Sequence, residues 1–382
     1  MKKLVLLFII SVKLLSAQWI TDKELDQITS KGIKHVYNLE FSKAEIIFQE
    51  IINKYPNHPS GYFFDAMIDW WKMILSIDDK TYDKVFVSKL NKVIEMCDIQ
   101  LKKNPDDVTA MFFKGGALGY RGRLRVNRKE WFSAANDGRI ALPIVQHAFK
   151  VSPKNEDILL GIGIYNYYAA VIPDQYPIVK PIMLLFPKGN KEKGIEMLEV
   201  ASRKAKYAKY ESKYFLMQLH YQFEKDYRTS MKIAQELSNE FPNNTQFKRY
   251  IGRNQVSLGQ WDKFYQTYSE LIINSETIKE LPEQSRIVIQ REANYYLGIY
   301  WMELHDWNNS LKHFYKCDEL SRSLDKDGPS GFMALSNLKI GIIYDRQLKR
   351  NLAINQYKKV LKLPDFENSQ NKAEQYIRIP NL

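Results

Sequence analysis

Cysteine, glycine and proline are all scarce in this chain of 382 residues. Two cysteines cannot form the disulfide framework on which small secreted domains depend, so the fold must be held by packing. The 17 glycines and 14 prolines cluster between long periodic segments, and no segment shows the sustained apolar–polar alternation of a strand. The composition therefore excludes a disulfide scaffold and indicates a chain made of helices.

Catalytic and phosphate-binding motifs are also missing. The sequence contains no HExxH, CxxC, GxSxG or GxxxxGK(S/T) pattern, and its six histidines share no helical face at metal-ligand spacing. Asp65 and Asp69 stand four residues apart, which suits acid–base chemistry, but they alternate with an apolar stripe and are interpreted as a solvated face. We therefore predict a protein that is not an enzyme and that has no cofactor and no metal.

A pattern of small and aromatic residues returns several times along the chain, about every 34 residues, with steps of 46 and 43 residues where the loops between copies are longer. A small residue in one helical stretch is followed 12 residues later by a second small residue, and four residues after that by a large aromatic. The clear copies are Gly32, Ala44 and Phe48; Gly298, Ser310 and Phe314; and Gly341, Ala353 and Tyr357. Gln218 and Gly252 occupy equivalent places in two successive copies, and weaker copies surround Gly115 and Gly163. The pattern resembles the tetratricopeptide repeat, a helix–turn–helix unit of about 34 residues.

The resemblance implies an architecture and a class of function. An all-α, right-handed superhelical solenoid of antiparallel helix pairs is expected, with each pair stacked on its neighbours. Such repeats usually bind other chains, so a non-enzymatic scaffold for a protein or peptide partner is expected. Four parts are distinguished: a signal peptide at 1–17, degenerate amino-terminal repeats at 18–160, an atypical Tyr- and Pro-rich segment at 161–210, and carboxy-terminal repeats at 211–382.

The central segment, 161–210, fits the repeat least well. Its apolar part, 173–187, contains four prolines that should prevent a long helix. Such an apolar loop either lines the core or forms an exposed contact surface. The segment is also similar to the middle of a eukaryotic family of tetratricopeptide-repeat proteins linked to the clearance of protein inclusions. This similarity transfers no active site.

The first residues have the features of a secretory signal. Lys2 and Lys3 precede an apolar run at residues 4–10, and Ala17 ends a small-residue cleavage site. The run is far shorter than the ~20 residues that cross a bilayer, which argues against a transmembrane anchor. We expect cleavage near Ala17 and export to the periplasm or the medium. The alternative is an amphipathic first helix.

The net charge of +12 is concentrated partly in residues 121–129, where a loop is expected. Four arginines there are candidates for contact with an anionic surface: Arg121, Arg123, Arg125 and Arg128. Removal of residues 1–17 takes away three lysines and no acid, which leaves a charge of +9. The alternative function is therefore binding to a membrane surface or an anionic polymer through this basic loop and the apolar loop 173–187. Nucleic acid is not expected, because an exported chain rarely meets it.

Side chains of the first helix in each repeat line the concave face of such a solenoid. By their place relative to the small residue, five are predicted to line a partner-binding groove: Tyr167, Arg249, Arg253, Tyr295 and Met302. Arg249 and Arg253 stand four residues apart on one helix and should point the same way, toward an acidic peptide segment. The alternative is that both pair with glutamates of neighbouring helices.

The two cysteines, Cys97 and Cys317, lie in different repeats that are far apart in the sequence. A solenoid keeps distant repeats apart, so the short Cα separation that a disulfide needs is not expected. Both are predicted to be buried free thiols.

Overall fold

The computed structural model describes residues 20–175, 179–184, 186–326 and 328–382. These ranges are helical with connecting turns and contain no strand. The predicted signal at 1–17 lies outside them. The helices are α1 (Lys23–Tyr37), α2 (Phe41–Lys54), α3 (Pro59–Leu75), α4 (Asp83–Lys103), α5 (Val108–Asn127), α6 (Trp131–Val151), α7 (Ile158–Gln175), α8 (Lys180–Met183), α9 (Lys191–Lys204), α10 (Lys209–Leu219), α11 (Tyr227–Glu240), α12 (Thr245–Ser257), α13 (Trp261–Thr277), α14 (Glu283–Glu303), α15 (Trp307–Leu324), α16 (Gly331–Arg346), α17 (Arg350–Val360) and α18 (Ser369–Arg378).

Consecutive helices form antiparallel pairs that stack in chain order. The pairs are α1 with α2, α3 with α4, α5 with α6, α7 with α9, α10 with α11, α12 with α13, α14 with α15 and α16 with α17, and α18 covers the last pair. In α11, a stripe that includes Ala234 and Leu237 is buried, while the opposite side is more exposed. Because only a neighbouring pair can cover such a stripe, the helices form one continuous stack. The predicted all-α solenoid is confirmed.

The small residues of the repeat lie where paired helices touch. An added Cβ at Gly298 would lie 2.7 Å from the Phe314 ring, and the Ser310 hydroxyl donates a 2.7 Å hydrogen bond to the Gly298 carbonyl. A Cβ at Gly341 would overlap the Tyr357 ring in the same way. Glycine is needed because no side chain fits between the helices. The predicted packing residues are all buried: Gly298, Ser310, Gly341 and Ala353.

A residue with left-handed backbone conformation marks the turn between the helices of a pair. It lies seven residues after the repeat position that is glycine in four repeats and Gln218 in a fifth; the five residues are Leu39, Lys225, Gly259, His305 and Leu348. Lys129 has the same conformation, with a φ of 62°, which identifies Gly122 and not Gly115 as the small residue of α5. The segment 121–129, expected as a loop, is mostly helix because α5 continues to Asn127.

The central repeat carries an insertion between its two helices. A Cβ at Gly163 on α7 would lie 2.9 Å from Leu198 on α9, the same relation as between a repeat glycine and its aromatic. Gly163 and Leu198 are more than twice as far apart in the sequence as Gly298 and Phe314, so the turn between α7 and α9 holds additional residues. Helix α7 includes Pro173 but ends at Gln175, and the next helix, α8, has four residues, so no long helix runs through the described part of 173–187. Pro173 has no amide hydrogen to donate to the Ala169 carbonyl, and α7 ends two residues after it.

The predicted apolar loop, 173–187, is partly core and partly surface. Val179 is buried, whereas Leu184 is 86% exposed. The Phe186 ring faces α6 at Gly138, where an added Cβ would lie 3.7 Å from the ring. The insertion therefore folds back on α6 over part of its length, while residues 176–178 and 185 lie outside the described ranges.

The stack curls until its first pairs touch its fifth and sixth. The ring of Tyr37 on α1 lies 5.3 Å from that of Tyr210 on α10, measured between centroids. Trp71 on α3 lies 5.7 Å from Phe247 on α12. One continuous hydrophobic core extends through residues 20–297 as a result. The concave face of the first six pairs is thus largely covered by the chain itself.

Candidate functional site

The arginines at the end of α5 are bound by acids. Arg121 and Arg125 both bind Asp137, with Nη2–Oδ1 and Nη1–Oδ2 distances of 2.5 and 2.6 Å. Arg128 donates hydrogen bonds of 2.6 and 2.8 Å to Asp83. Asp137 is fully buried, so its charge requires these cations. The expected free basic loop is therefore corrected to ion pairs that fasten α5 to α6 and α4.

Arg123 lies at the junction of α5 and α10. Its Nη1 is 3.0 Å from Glu211 Oε1, and its Nη2 is 2.9 Å from Gln218 Oε1. The guanidinium also lies over the Phe215 ring, 4.3 Å from the centroid. Glu211 accepts a 2.7 Å hydrogen bond from the Tyr37 hydroxyl of α1, so the pair joins three helices. Burial, together with the charge of Glu211, raises the pKa of Tyr37 well above its ordinary value.

Arg249 and Arg253 converge on one buried carboxylate. Their Nη2 atoms each lie 2.6 Å from Oε2 of Glu292 on α14, and the Tyr268 hydroxyl donates to Glu292 Oε1. Burial of Glu292 opposes its ionisation, but the two guanidinium groups outweigh burial and hold its pKa well below the usual range. Arg249 is itself only 6% exposed. The two arginines do point the same way. However, both bind a glutamate of the neighbouring repeat, so they are not the free cations that were expected to bind a partner.

The remaining predicted groove residues do not meet at one site. Tyr167 is buried on α7, and its hydroxyl donates a 2.5 Å hydrogen bond to Glu224. Met302 is 6% exposed and belongs to the core of the carboxy-terminal repeats. Tyr295 packs edge-on against Phe332, with centroids 5.3 Å apart. The open groove expected at these positions is corrected, because most of their side chains pack against the chain itself.

The carboxylates of Asp65 and Asp69 form a buried cluster with Lys89 of α4. Lys89 Nζ lies 2.8 Å from Asp65 Oδ2 and 2.7 Å from Asp69 Oδ2. Burial raises the pKa of Asp69, and Lys89 opposes that rise. The predicted solvated face is wrong, because α4 covers it and supplies the counter-charge.

Cys97 and Cys317 are buried free thiols, as predicted. In the described ranges, no group of three or more potential metal ligands comes together.

One helix of the carboxy-terminal repeats, α16, keeps a partly uncovered face. Gly341 turns toward Tyr357 of α17, so residues on the opposite side of α16 face away from that partner helix. Four of them are half-buried or exposed and form what we call the α16 stripe: Phe332, Leu335, Lys339 and Arg346. Sequence reasoning missed this stripe. Its signal is the spacing of three, four and seven residues on the side opposite the repeat glycine.

Lys339 is the unusual member of the α16 stripe. Its side chain is half-buried, yet it makes no hydrogen bond or ion pair with any residue of the described ranges. Burial lowers the pKa of Lys339; the charges of Lys372 and Arg346 act in the same direction, whereas Glu303 and Glu367 oppose it. A desolvated cation without a direct partner is costly. An anionic group supplied by another molecule would therefore be stabilising here.

The α16 stripe ends at a recess beside the turns of the last two pairs. This carboxy-terminal recess has a volume of about 540 Å³ and is lined by five residues: His305, Trp307, Arg346, Leu348 and Leu382. The His305 and Trp307 rings stack with centroids 5.2 Å apart, and the Arg346 guanidinium lies 5.6 Å from the Trp307 centroid. Leu348 and Leu382 are 81% and 76% exposed. The recess thus combines one cationic guanidinium and an imidazole with an exposed apolar surface.

Asp345 holds the walls of the recess together. This buried carboxylate accepts hydrogen bonds from Arg350 at 2.8 and 3.0 Å, from the Tyr357 hydroxyl at 2.8 Å and from the Asn381 amide at 3.1 Å. Arg350 also donates to two carbonyls at the end of α18. The tail that carries Leu382 is thereby fixed against α16, so the recess is preformed.

Comparison with known proteins identifies a fold. No family model and no curated protein matches the chain. A chain of the APC/C hetero-tetramer Cut9–Hcn1 is similar in structure, with a TM-score of 0.54 and 11% identity over 88% of this chain and 52% of that chain. The present chain therefore spans about half the length of that neighbour.

Two further solved structures are less similar. Human IFIT1, in a dimer with m7Gppp-AAAA, has a TM-score of 0.45 at 11% identity, covering 94% of this chain and 86% of its own. Rap protein complexed with Competence and Sporulation Factor has a TM-score of 0.42 at 14% identity, with coverages of 92% and 77%. The helix pairs described above, together with the similarity to the Cut9–Hcn1 chain, show that the fold is a helical solenoid of the tetratricopeptide-repeat type.

Proposed function

We propose that this protein is a non-enzymatic scaffold that binds a protein or peptide partner through the α16 stripe. The observation that carries the proposal is a contrast between two parts of the solenoid. The first six pairs cover their concave face with their own aromatic side chains, whereas the α16 stripe is only partly covered, at Phe332, and holds a lysine without a partner in the described ranges. Aromatic and arginine side chains, both present in the stripe, dominate binding energy at protein interfaces. A chain of similar fold is part of a hetero-tetramer, which adds support.

Binding to a membrane surface or an anionic polymer has less support. The arginines of α5 on which it depended are bound to Asp83, Asp137 and Glu211. Among the large hydrophobic side chains of the insertion that the structure describes, one is strongly exposed, Leu184. No helix in those same ranges combines the length and apolarity of a membrane span.

Selection of peptides from a phage-displayed random library tests the scaffold proposal. The protein is immobilised, and each enriched peptide is titrated against wild type and two variants. Leu335→Asp introduces a charge in the α16 stripe, whereas Leu352→Asp makes the same change at an exposed site on α17. We expect the first variant to abolish binding and the second to leave it unchanged. Failure to enrich any peptide, or equal effects of both variants, would contradict the proposal.

We further propose that the protein is exported, which rests on the sequence of residues 1–17 alone. Amino-terminal sequencing of the protein isolated from its native cells should show a chain that begins near Gln18. Recovery of a chain that begins at Met1 would overturn this part of the proposal.

A further inference from the structure

The carboxy-terminal recess contains two basic side chains without acidic partners. Arg346 contacts the face of Trp307, and His305 stacks on the same indole, but neither side chain makes a hydrogen bond or ion pair within the described ranges. The guanidinium of Arg346 has five N–H donors and is exposed. Arg128, just after α5, and Arg350, at the start of α17, differ in this respect, since both are bound to carboxylates. The recess therefore offers donors that an external carboxylate can use.

The apolar side of the recess is exposed at a position where a leucine is doubly unfavourable. Leu348 has a φ of 59° and is 81% exposed, although a left-handed turn favours glycine or asparagine. Leu39 occupies the equivalent turn of the first pair with a φ of 56°, but it is only 2% exposed because the core covers it. A leucine at this turn is thus compatible with burial. At Leu348, no residue of the described ranges supplies such a cover.

We infer that the recess binds an extended partner segment in which an acidic residue is followed by an aliphatic residue. The inference rests on the proposed scaffold function and specifies the partner's chemistry. Charge complementarity selects the acid, because the Arg346 guanidinium and the His305 imidazole, which can donate a hydrogen bond, flank Trp307 on one side. Exposed aliphatic surface selects the second residue, because Leu348 and Leu382 form the other side. A segment with one acidic residue fits better than a segment with several, because the exposed carboxylate of Glu303 at the nearby end of α14 would repel further acidic residues.

The probe is a short fluorescein-labelled peptide with one Glu followed by two Leu in a Gly–Ser background. One matched peptide carries Gln for Glu, and another carries Ser for both Leu. Fluorescence polarisation measures Kd for each at low ionic strength, where exposed charge pairs are least screened. The Glu–Leu peptide should bind most tightly, and the Gln peptide should bind about two- to fivefold more weakly.

Two recess variants, each with a matched control, locate the binding. Arg346→Gln should weaken binding of the Glu–Leu peptide about two- to fivefold. It should leave binding of the Gln peptide unchanged, because that peptide has no carboxylate that could pair with Arg346. Lys359→Gln removes an exposed cation of α17 and should change neither. Leu348→Asn suits the left-handed turn and should weaken both peptides that carry Leu. Leu352→Asn, on α17, should not.

The results of these binding measurements either support or overturn the inference about the recess. The inference falls if the Glu and Gln peptides bind alike, if Arg346→Gln affects both equally, or if Leu348→Asn has no effect. It also falls if sedimentation shows that the protein dimerises and that the recess variants make it monomeric, since the occupant is then a second copy. If selected peptides are lost with Leu335→Asp but not with the recess variants, the scaffold function stands and the recess inference alone fails. If no peptide binds, both fail.

Discussion

Arg123 on α5 and Glu211 on α10 form an ion pair with a 3.0 Å distance between Nη1 and Oε1, across 88 residues of sequence. Tyr37 of α1 donates to the same carboxylate, so the pair lies where the first and fifth helix pairs meet. It helps to close the amino-terminal part of the solenoid, which is why this part offers little open concave surface.

Loss of the Arg123 guanidinium should destabilise the closed part strongly. Arg123→Met leaves Glu211 nearly buried without its cation, and we expect a loss of about 2–4 kcal/mol in the free energy of unfolding. Lys43→Met, which breaks the exposed pair with Glu40, should cost less than about 1 kcal/mol. Urea unfolding followed by circular dichroism measures both. Equal effects of the two substitutions would show that the Arg123 pair does not fasten the fold.

Close packing at the repeat glycines gives a second prediction. Gly298→Ala places a methyl group against the Phe314 ring and should destabilise the protein by about 1–3 kcal/mol. Gly119→Ala, on an exposed face of α5 where an added Cβ meets nothing within 4 Å, should instead stabilise it by up to about 1 kcal/mol. Thermal unfolding should therefore shift in opposite directions. A stabilising Gly298→Ala would refute the assigned helix contact.

Much of the fold can be predicted from short-range relations in the sequence. The ion pairs on the inner face of the solenoid cannot be predicted in this way. The short intervals from Gly298 to Ser310 and Phe314 lie within one helix pair, so they can be found in the sequence. The contact between Arg249 and Glu292 depends on how two pairs stack, and many glutamates are equally plausible partners. In α5, four glycines obscure the repeat position, and only the left-handed turn at Lys129 identifies Gly122.

The pH dependence of stability should include a contribution from His58. Its Nδ1 accepts a hydrogen bond from the Ser60 amide at the start of α3, and burial lowers its pKa to about 4. In the unfolded chain His58 binds a proton near pH 6.5, whereas in the folded protein it binds one only near pH 4. Stability is therefore lost as the pH falls from about 6.5 to 4. His58→Asn retains an acceptor for the helix start but should lose about 2–3 kcal/mol of that dependence. Denaturant titrations at pH 7 and pH 4.5 give the free energy of unfolding at each pH. An equal change between the two pH values in variant and wild type would exclude the His58 contribution.

Hydrogen–deuterium exchange with a selected peptide bound tests most directly whether the partner surface lies on α16. Backbone amides of α14, α16 and the turn at Leu348 should become protected, because the peptide covers the α16 stripe and the adjacent turn. Amides of α1, α3, α10 and α12 should be unchanged, since aromatic side chains of the chain already cover that face. Protection confined to these four helices, with none on α16, would contradict the proposed binding surface.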